Sequence, residues 1–347
     1  MSVGVVIIGR NEGERFQRCL RSLVGRAGVI VYVDSGSTDG SVALAESFAP
    51  QGVHAVRLDM STPFTAARAR NAGLAKLLEV DAATTFAQFV DGDCEVREGW
   101  LQAGAAKLAA DASLGAVSGR LRERFPEKSV YNRLADLEWD RPVGEEKSCG
   151  GVAMMRVEAV QKAGGFDPTL IAGEEPELCA RMRSLGYRVW RIPDEMAWHD
   201  IAMTSRRQWL TRARRHGHAI IEVSYFKTPA SRGLFANQVR SALIWGAVWP
   251  AAFAVTLVSS PLLAAWRWSG FAISASALLA IVLLLLWHQS KMARLARGKG
   301  LDDRHARTYA RLLWESKGSQ VAGMLQFLLR RRRNQAARVI DYREAGH

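Results

Sequence analysis

Two aspartates separated by one glycine, Asp91-Gly92-Asp93, follow the apolar run Phe86–Val90. The run is typical of a short strand, so both carboxylates are expected at the end of that strand. Hard oxygen ligands of this kind suit Mg²⁺ or Mn²⁺, which keep several waters and bind substrate phosphates. The same tripeptide also forms ordinary surface turns, so its chemistry depends on what the rest of the chain brings to this point.

The elements that must position these acids alternate along the first half of the chain. Val3–Ile8 and Val29–Val33 are apolar runs, typical of strands buried on both faces of a parallel sheet. Each run ends in a polar loop, Gly9–Gly13 and Asp34–Gly40, and a helical pattern follows each loop. This alternation predicts an α/β domain whose ligand sits beyond the carboxyl ends of the strands. Both loops and the Asp91-Gly92-Asp93 turn should therefore open on one crevice.

Four segments, taken in order and with their spacing, resemble the family 2 glycosyltransferases, which have a GT-A fold. The matching segments are Ile7–Glu12, Val33–Ser41, Ala69–Gly73 and Asp91–Asp93, and the likeness extends from Ser2 to Ala219. It implies a Rossmann-like catalytic domain with a mostly parallel sheet. It also implies transfer of a sugar from a nucleotide sugar, with a UDP-sugar as the expected donor, and inversion of the anomeric carbon.

The resemblance assigns a role to each matching residue. The first two loops would hold the nucleotide, and the aspartate pair would hold its metal-bound diphosphate, with Mn²⁺ or Mg²⁺ as the cofactor. Residues expected at the nucleotide sugar are Arg10, Asn11, Glu12, Asp34, Ser35, Asp39, Arg70, Asp91, Gly150 and Gly151. Asp93 would bind the metal, with Asp91 and His199 as further candidate ligands. A lone histidine is also commonly structural, so both roles stay open for His199.

The same family carries its catalytic base in an acidic pair, usually Glu followed by Asp. The pair here is Glu174-Glu175, whose second acid is one methylene longer. Glu175 is favoured over Glu174 as the base. Pro176 suits the first position of a helix and Gly186 suits the position just after its end. Because the helix dipole favours acids at an N-terminus in any protein, a structural role for the pair stays open.

Other assignments also have structural alternatives. Asp34 and Asp39 could cap the turn and the helix that is expected to begin at Ser41. Arg68 is expected on a solvated helix face, whereas Arg70 is expected at the ligand because a guanidinium suits phosphate.

Two long uncharged segments, Leu243–Trp266 and Phe271–Trp287, predict a transmembrane helical hairpin. Arg267–Gly270 would form the turn between them, and a buried hairpin of a soluble protein is the alternative. Basic residues concentrate on both flanks, so the positive-inside rule predicts that the flanks and the catalytic domain are cytoplasmic. The apolar run from Val321 is too short to span, and with Arg330–Arg333 it predicts an interfacial amphipathic tail.

These patterns predict four parts: a GT-A domain at 1–219, a juxtamembrane linker at 220–242, the hairpin at 243–288 and a basic tail at 289–347. The net charge of +13 concentrates beside the spans. It therefore indicates anionic lipid as a partner rather than nucleic acid, for which no zinc-finger, RNA-recognition or helix-turn-helix pattern is found. The expected location is the cytoplasmic face of a bacterial inner membrane, and the expected acceptor is a lipid carrier or an envelope glycan.

The four cysteines, Cys19, Cys94, Cys149 and Cys179, have no metal-type spacing. Ser2–Arg10 is too short for a cleavable signal peptide, so the cysteines are expected to be reduced thiols in a cytoplasmic domain.

Three other functions fit parts of the pattern. A nucleotidyltransferase would need a glycine-rich phosphate loop, which Gly9–Glu12 does not supply. A non-catalytic sensor or scaffold would bind a nucleotide sugar without transferring it. A transporter would need more than two spans.

Overall fold

The computed structural model describes residues 2–266, 268–335 and 340. Within these residues the chain forms two compact units. The first comprises 2–204 and 223–234, and the second comprises 205–222 with the described residues from 235 onward.

The first unit is a mixed sheet with helices on its faces. The strands are β1 (Ser2–Gly9), β2 (Val29–Asp34), β3 (Val53–Arg57), β4 (Thr84–Asp91), β5 (Cys94–Val96), β6 (Leu114–Glu123), β7 (Gly144–Glu146), β8 (Ala153–Arg156) and β9 (Arg188–His199). The helices are α1 (Glu14–Arg21), α2 (Ser41–Ser47), α3 (Ala66–Val80), α4 (Trp100–Ala110), α5 (Val130–Trp139), α6 (Val157–Lys162) and α7 (Glu174–Ser184), with a 3₁₀ turn at Ala49–Gln51.

The strand order in the described residues is β3-β2-β1-β4-β8-β6-β9-β5, with β7 paired to β9. Strands β3, β2, β1 and β4 are parallel, as the sequence predicts for its first half. Beyond β4 the sheet is mixed, because β8 runs antiparallel to both β4 and β6 while β6 and β9 are parallel. The α/β, Rossmann-like fold class is confirmed, and the parallel part is confined mainly to one side of the sheet.

Strand β1 shows why the parallel half is readable from the sequence. Val5 and Ile7 enter one apolar cluster with Phe16, and Val6 enters a second cluster with Leu77. Consecutive side chains of a strand point to opposite faces, so a strand covered on both faces needs an unbroken apolar run.

Helix α7 differs from its prediction at one end. Gly173 adopts a left-handed conformation with φ of 82°, and the helix begins directly after it, at Glu174. Pro176 is therefore the third helical residue, and its predicted first position is wrong. The glycine allows this early start, because a residue with a Cβ atom would pay a steric penalty at that φ. Gly186, with φ of 90°, follows the helix end as predicted.

The second unit is helical. It contains the start of α8 (Arg206–Phe226), then α9 (Ala236–Leu243), a π turn (Ile244–Val248), α10 (Trp249–Trp266), α11 (Trp268–Gly298) and α12 (Asp303–Arg332). The domain limit predicted at residue 219 falls within α8.

Within the part of the chain that the structure describes, two helices are long and apolar enough to cross a membrane, Ala236–Ser260 and Ala272–Gly298. The first begins before the predicted Leu243, because α9, the π turn and α10 follow one another without a break. The predicted turn at 267–270 is too long, since Trp268 already starts α11. Arg267 itself lies outside the described residues.

Helix α12 packs closely against α8. A Cβ atom at Gly217 would collide with the backbone of Gln320, and one at Gly323 would collide with the backbone of Arg214. Met324 of α12 is buried in an apolar cluster with Ile220, whereas the leucines at 325, 328 and 329 are exposed. One apolar side of this predicted tail is thus covered by protein.

Candidate active site

The three predicted loops meet at one edge of the sheet. Strand register pairs Gly9 with Asp34 and Ile8 with Asp91, so β1, β2 and β4 end side by side. The N–H of Gly92 donates to Ile8 O at 2.8 Å, which holds the Asp91-Gly92-Asp93 turn against β1.

Asp93 and His199 come together because β5 pairs antiparallel with the end of β9, Cys94 opposite His199. Nε2 of His199 lies 3.5 Å from Oδ2 of Asp93, and both side chains are buried. Ligand atoms of Asp93, Cys94 and His199 all lie within 4.8 Å of one another. A carboxylate and an imidazole that converge in this way fit a divalent cation such as Mn²⁺.

Glu123, the last residue of β6, stands behind His199. Its Oε2 lies 3.9 Å from His199 Nδ1 and accepts a hydrogen bond from Ile201 N, while Oε1 accepts one from Asn132 Nδ2 at 3.1 Å. Burial lowers the pKa of His199, but the carboxylates of Asp93 and Glu123 outweigh burial and the net shift is upward. A carboxylate behind an imidazole commonly orients a metal ligand.

Glu123 belongs to none of the motifs named in the sequence, so its role was not predicted. The available signal was the position of an acid at the end of a strand, as for Asp91.

Arg70 joins the two acidic pairs. This buried guanidinium donates through Nη1 to the carboxylate of Glu174 and through Nη2 to Asp91 Oδ1 at 2.9 Å. Nη2 also lies 3.3 Å from the carbonyl oxygen of Gly151. The planar fork of arginine suits such a bridge. Arg70 thus contacts three groups of the protein itself, and its predicted contact with the nucleotide remains a prediction.

The glycine pair packs directly on this bridge. A Cβ atom at Gly151 would lie 3.0 Å from Arg70 Nη2 and 3.1 Å from Asp91 Oδ2, so only a glycine fits without a shift. Gly150 adopts a φ of 88°, which favours glycine. Both residues lie in the segment before β8, which enters the sheet beside β4.

Glu175 has different partners from Glu174. Its Oε1 accepts a hydrogen bond from Cys149 N at 2.6 Å and contacts the thiols of Cys149 and Cys179 at 3.2 and 3.3 Å. The other oxygen, Oε2, accepts none of the hydrogen bonds found within the described residues. Contact with Cys179, together with burial, raises the pKa of the Cys149 thiol well above its usual value. The spacing of these cysteines along the chain does not predict that they meet.

The two nucleotide loops are tied to each other. Asn11, at a φ of 54°, donates from its N–H to Ser37 Oγ and accepts from Thr38 N at 2.7 Å. Asp39 accepts from Gly13 N and, through its other oxygen, from the N–H and hydroxyl of Ser41. Burial raises the pKa of Asp39, but these hydrogen bonds lower it by more, so the net shift is downward.

Asp34 holds its own turn. Oδ2 accepts from the N–H groups of Gly36 and Ser37, and Oδ1 accepts from the Tyr32 hydroxyl at 2.9 Å. The capping interpretation of Asp34 and Asp39 is therefore confirmed. Their predicted contacts with a nucleotide remain predictions.

The remaining predicted residues surround this edge. Arg10 lies 4.8 Å over the ring of Phe64, and buried Glu12 pairs with Arg15 at 3.0 Å. Ser35 donates from its N–H to Gly9 O at 3.0 Å.

Comparison with known proteins gives two family matches along the chain. Residues 4–163 match "Glycosyl transferase family 2", and residues 142–289 match "Glycosyl transferase family group 2". The chain is 28% identical over 228 residues to "Pre-mycofactocin glycosyltransferase" of Mycobacterium tuberculosis. The aligned region covers 62% of this chain and 46% of that protein. It is 28% identical over 169 residues to "Succinoglycan biosynthesis protein ExoA" of Rhizobium meliloti, covering 46% and 50% respectively.

The chain thus spans about half the length of the curated relatives it matches. Its fold is similar to that of mannosyltransferase PcManGT from Pyrobaculum calidifontis, solved with GDP-Man and Mn²⁺, at a TM-score of 0.56. The sequence identity is 18%, over 94% of this chain and 86% of the other. Together with the motifs on β1, β2 and β4, the family matches identify a family 2 glycosyltransferase domain within residues 4–163.

Proposed function

We propose that this protein transfers a sugar from a nucleotide sugar, with a UDP-sugar as the expected donor, to a hydroxyl or phosphate acceptor, with inversion at the anomeric carbon. One observation carries the proposal: Arg70 contacts Asp91 of one acidic pair and Glu174 of the other. The groups expected at the donor diphosphate and the group expected to activate the acceptor therefore belong to one site.

The donor side of the site would be built by the loops after β1 and β2. Asn11, Asp34 and Asp39 hold these loops in shape through the hydrogen bonds described above. Arg10, Glu12 and Ser35 stand on the same loops, so a nucleotide would meet a preformed surface rather than order it on binding. Gly150 and Gly151 would lie at the transferred sugar, as the family resemblance implies.

Asp93 and His199 would hold a Mn²⁺ or Mg²⁺ ion, with Asp91 as a further candidate ligand. The solved mannosyltransferase with the similar fold carries Mn²⁺, which supports this assignment. When bound, such a cation neutralises charge that develops on the departing diphosphate. Glu123 would keep the His199 ring oriented for that role.

Glu175 would accept the acceptor's proton. As the acceptor oxygen forms its bond to the anomeric carbon, the bond from that carbon to the diphosphate breaks, and the hydroxyl proton moves to Glu175. Oε2 of Glu175 suits this task because only its Oε1 is engaged by the thiols and by Cys149 N. Glu174 is bound to a buried guanidinium, which holds its carboxylate in a fixed position.

The apolar helices Ala236–Ser260 and Ala272–Gly298 would anchor the protein as a transmembrane hairpin. Basic residues flank both, which supports a cytoplasmic catalytic domain at a bacterial inner membrane and contact with anionic lipids. An acceptor presented at the bilayer, either a lipid carrier or an envelope glycan, follows from this anchor. The division of the chain into four parts, predicted from the sequence, is part of this proposal.

A donor screen tests the proposal. The full chain in detergent is incubated with UDP-, GDP- or TDP-sugars, Mn²⁺ or Mg²⁺ and membrane extract, and labelled products are identified by mass spectrometry. We expect one sugar to be transferred, and transfer should stop when the metal is chelated. If a nucleotide sugar binds but no donor is consumed, the catalytic proposal is wrong and a sensor or scaffold role replaces it.

A further inference from the structure

The side chains of Cys149, Glu175 and Cys179 form a cluster that the transfer reaction does not explain. Glu175 and Cys179 stand one turn apart on α7, on the same face of the helix, and Cys149 reaches them from the segment before β8. All three are buried, and Sγ of Cys149 lies 3.6 Å from Sγ of Cys179. Two sulfurs from residues 30 positions apart in the chain thus contact the same carboxylate oxygen, Oε1 of Glu175.

Three donors approach a single oxygen of the Glu175 carboxylate. A carboxylate oxygen offers about two lone-pair directions. Oε1 of Glu175 is approached by three donors, namely Cys149 N at 2.6 Å and the two thiols at 3.2 and 3.3 Å. One thiol proton can therefore point to the other sulfur, 3.6 Å away, so the two sulfurs and Oε1 form one closed cluster. A cation in place of the thiol protons would be held by the same three atoms.

The spacing fits three corners of a tetrahedral metal site. Zinc bonds of about 2.3 Å to sulfur and about 2.1 Å to oxygen put two sulfurs about 3.8 Å apart and a sulfur and an oxygen about 3.6 Å apart. The corresponding distances here are 3.6 Å between the sulfurs and 3.2 and 3.3 Å from Oε1 to each sulfur. An outward movement of a few tenths of an ångström would reach the zinc values.

The ligand types select a different cation from the Asp93–His199 corner. Two thiolates and one carboxylate suit Zn²⁺ and other thiophilic cations, whereas Mn²⁺ and Mg²⁺ prefer oxygen. The N–H of Cys149, which donates to the Glu175 carboxylate, is the kind of outer contact that orients a metal-binding group.

We propose that Cys149, Cys179 and Glu175 form a binding site for a thiophilic divalent cation, Zn²⁺ in particular, with the fourth coordination position open. Binding exchanges the two thiol protons, released to solvent, for two sulfur–metal bonds. One consequence rests on the proposed function. Because Glu175 is the proposed base, a cation on its carboxylate would compete with the acceptor's proton, so the site would be inhibitory.

Cadmium reports directly on thiolate ligands, so it serves as the probe. Metal-free full chain in detergent is titrated with Cd²⁺, and the ultraviolet thiolate-to-cadmium charge-transfer band is recorded. We expect the band to saturate at about one cation per chain. The variant Cys149→Ser/Cys179→Ser should lose the band. The matched control Cys94→Ser, whose thiol lies beside Asp93, should keep it.

X-ray absorption of the Zn²⁺-loaded wild-type chain needs no variant to fold and should show two sulfur ligands. A wild-type spectrum without sulfur ligands, a band that disappears in Cys94→Ser, or a band that survives when the double change is made in the Cys94→Ser chain would overturn the site.

The inhibitory consequence has its own readout. In assays with Mn²⁺, added Zn²⁺ should reduce transfer by the wild type about tenfold. Cys179→Ser should resist the inhibition, and equal inhibition of both proteins would refute it. A chain that binds Cd²⁺ but transfers no sugar from any donor would refute the proposed function while the metal site stands.

Discussion

The two acidic pairs of the first unit share one arrangement and differ in their chemistry. In each pair one acid, Asp91 or Glu174, binds Arg70. The other acid turns to separate partners: Asp93 faces an imidazole, and Glu175 faces a backbone N–H and two thiols.

This division suggests that one acid of each pair builds the site and the other performs its chemistry. A buried guanidinium between two carboxylates fixes the distance between the β4 end and the α7 start. The partners of Asp93 are an imidazole and the single thiol of Cys94, whereas those of Glu175 include two thiols and no imidazole. Two pairs of acids at one site can therefore serve different purposes.

The largest expected effect is on the proposed base. Glu175→Gln should lower kcat by about a thousandfold, within the range of general acid–base catalysis, because the amide cannot accept the acceptor's proton. Steady-state kinetics with the donor identified in the screen measures this effect. The control Glu174→Gln should lose only about tenfold, since this acid has a positioning role. A greater loss in the control would exchange the two roles.

The next effect concerns the cation. Asp93→Asn should weaken Mn²⁺ binding and reduce transfer about a hundredfold, because an amide carries no charge to balance the cation. Free Mn²⁺ measured by electron paramagnetic resonance gives the affinity without an activity assay. Asp91→Asn should change that affinity less, since Asp91 is bound to Arg70. Equal losses of affinity in the two variants would remove the distinction within this pair.

A third test addresses the bridge itself. Arg70→Met should lower the free energy of unfolding by about 3 kcal/mol, because it leaves carboxylates in a buried setting without their counter-charge. Urea denaturation measures the change. Arg70→Lys keeps the charge but loses the fork, so about half that loss is expected. The control Arg68→Lys, which alters contacts with carbonyls of the preceding loop, should stay within about 1 kcal/mol of wild type. A similar loss of unfolding free energy at both positions would mean that the bridge formed by Arg70 stabilises the protein no more than the contacts of Arg68 do.

The smallest effect is expected at an acid outside both pairs. Hydrogen bonds from the Ser2 and Thr84 hydroxyls and from Ala83 N lower the pKa of Asp81. A lowered pKa contributes stability above the unfolded value, near 4, and that contribution disappears as the pH falls through the folded pKa.

Asp81→Asn should therefore lower the Tm slightly at neutral pH and not at strongly acidic pH, with transfer unchanged. Thermal melts at both pH values measure this difference. A gap in Tm that widens in acid would contradict the assigned sign.

The sequence was most informative where burial on two faces demands unbroken apolar runs. This requirement made β1, β2 and β4 recognisable, and with them the loops that carry Asp34, Asp39 and Asp91. Family motifs then predicted the roles of these three aspartates at the nucleotide sugar. Those roles remain predictions.

Contacts between distant segments could not be read in this way. Strand β5 has three residues and exists because it pairs with β9, so the meeting of Asp93 with His199 depends on tertiary structure. The partners of Arg70 and the approach of Cys149 to Cys179 depend on it equally. The early start of α7 follows from the left-handed Gly173, whereas the proline pattern pointed two residues later.

Helices α8 and α12 cross where Gly217 and Gly323 bring the two backbones into direct contact. This contact determines how the two helices are aligned. Sliding either helix by one residue would bring a side chain onto a site now filled by Gly217 or Gly323. The pairing of α8 with α12 is therefore set by the shape of the two backbones and not only by the burial of apolar side chains.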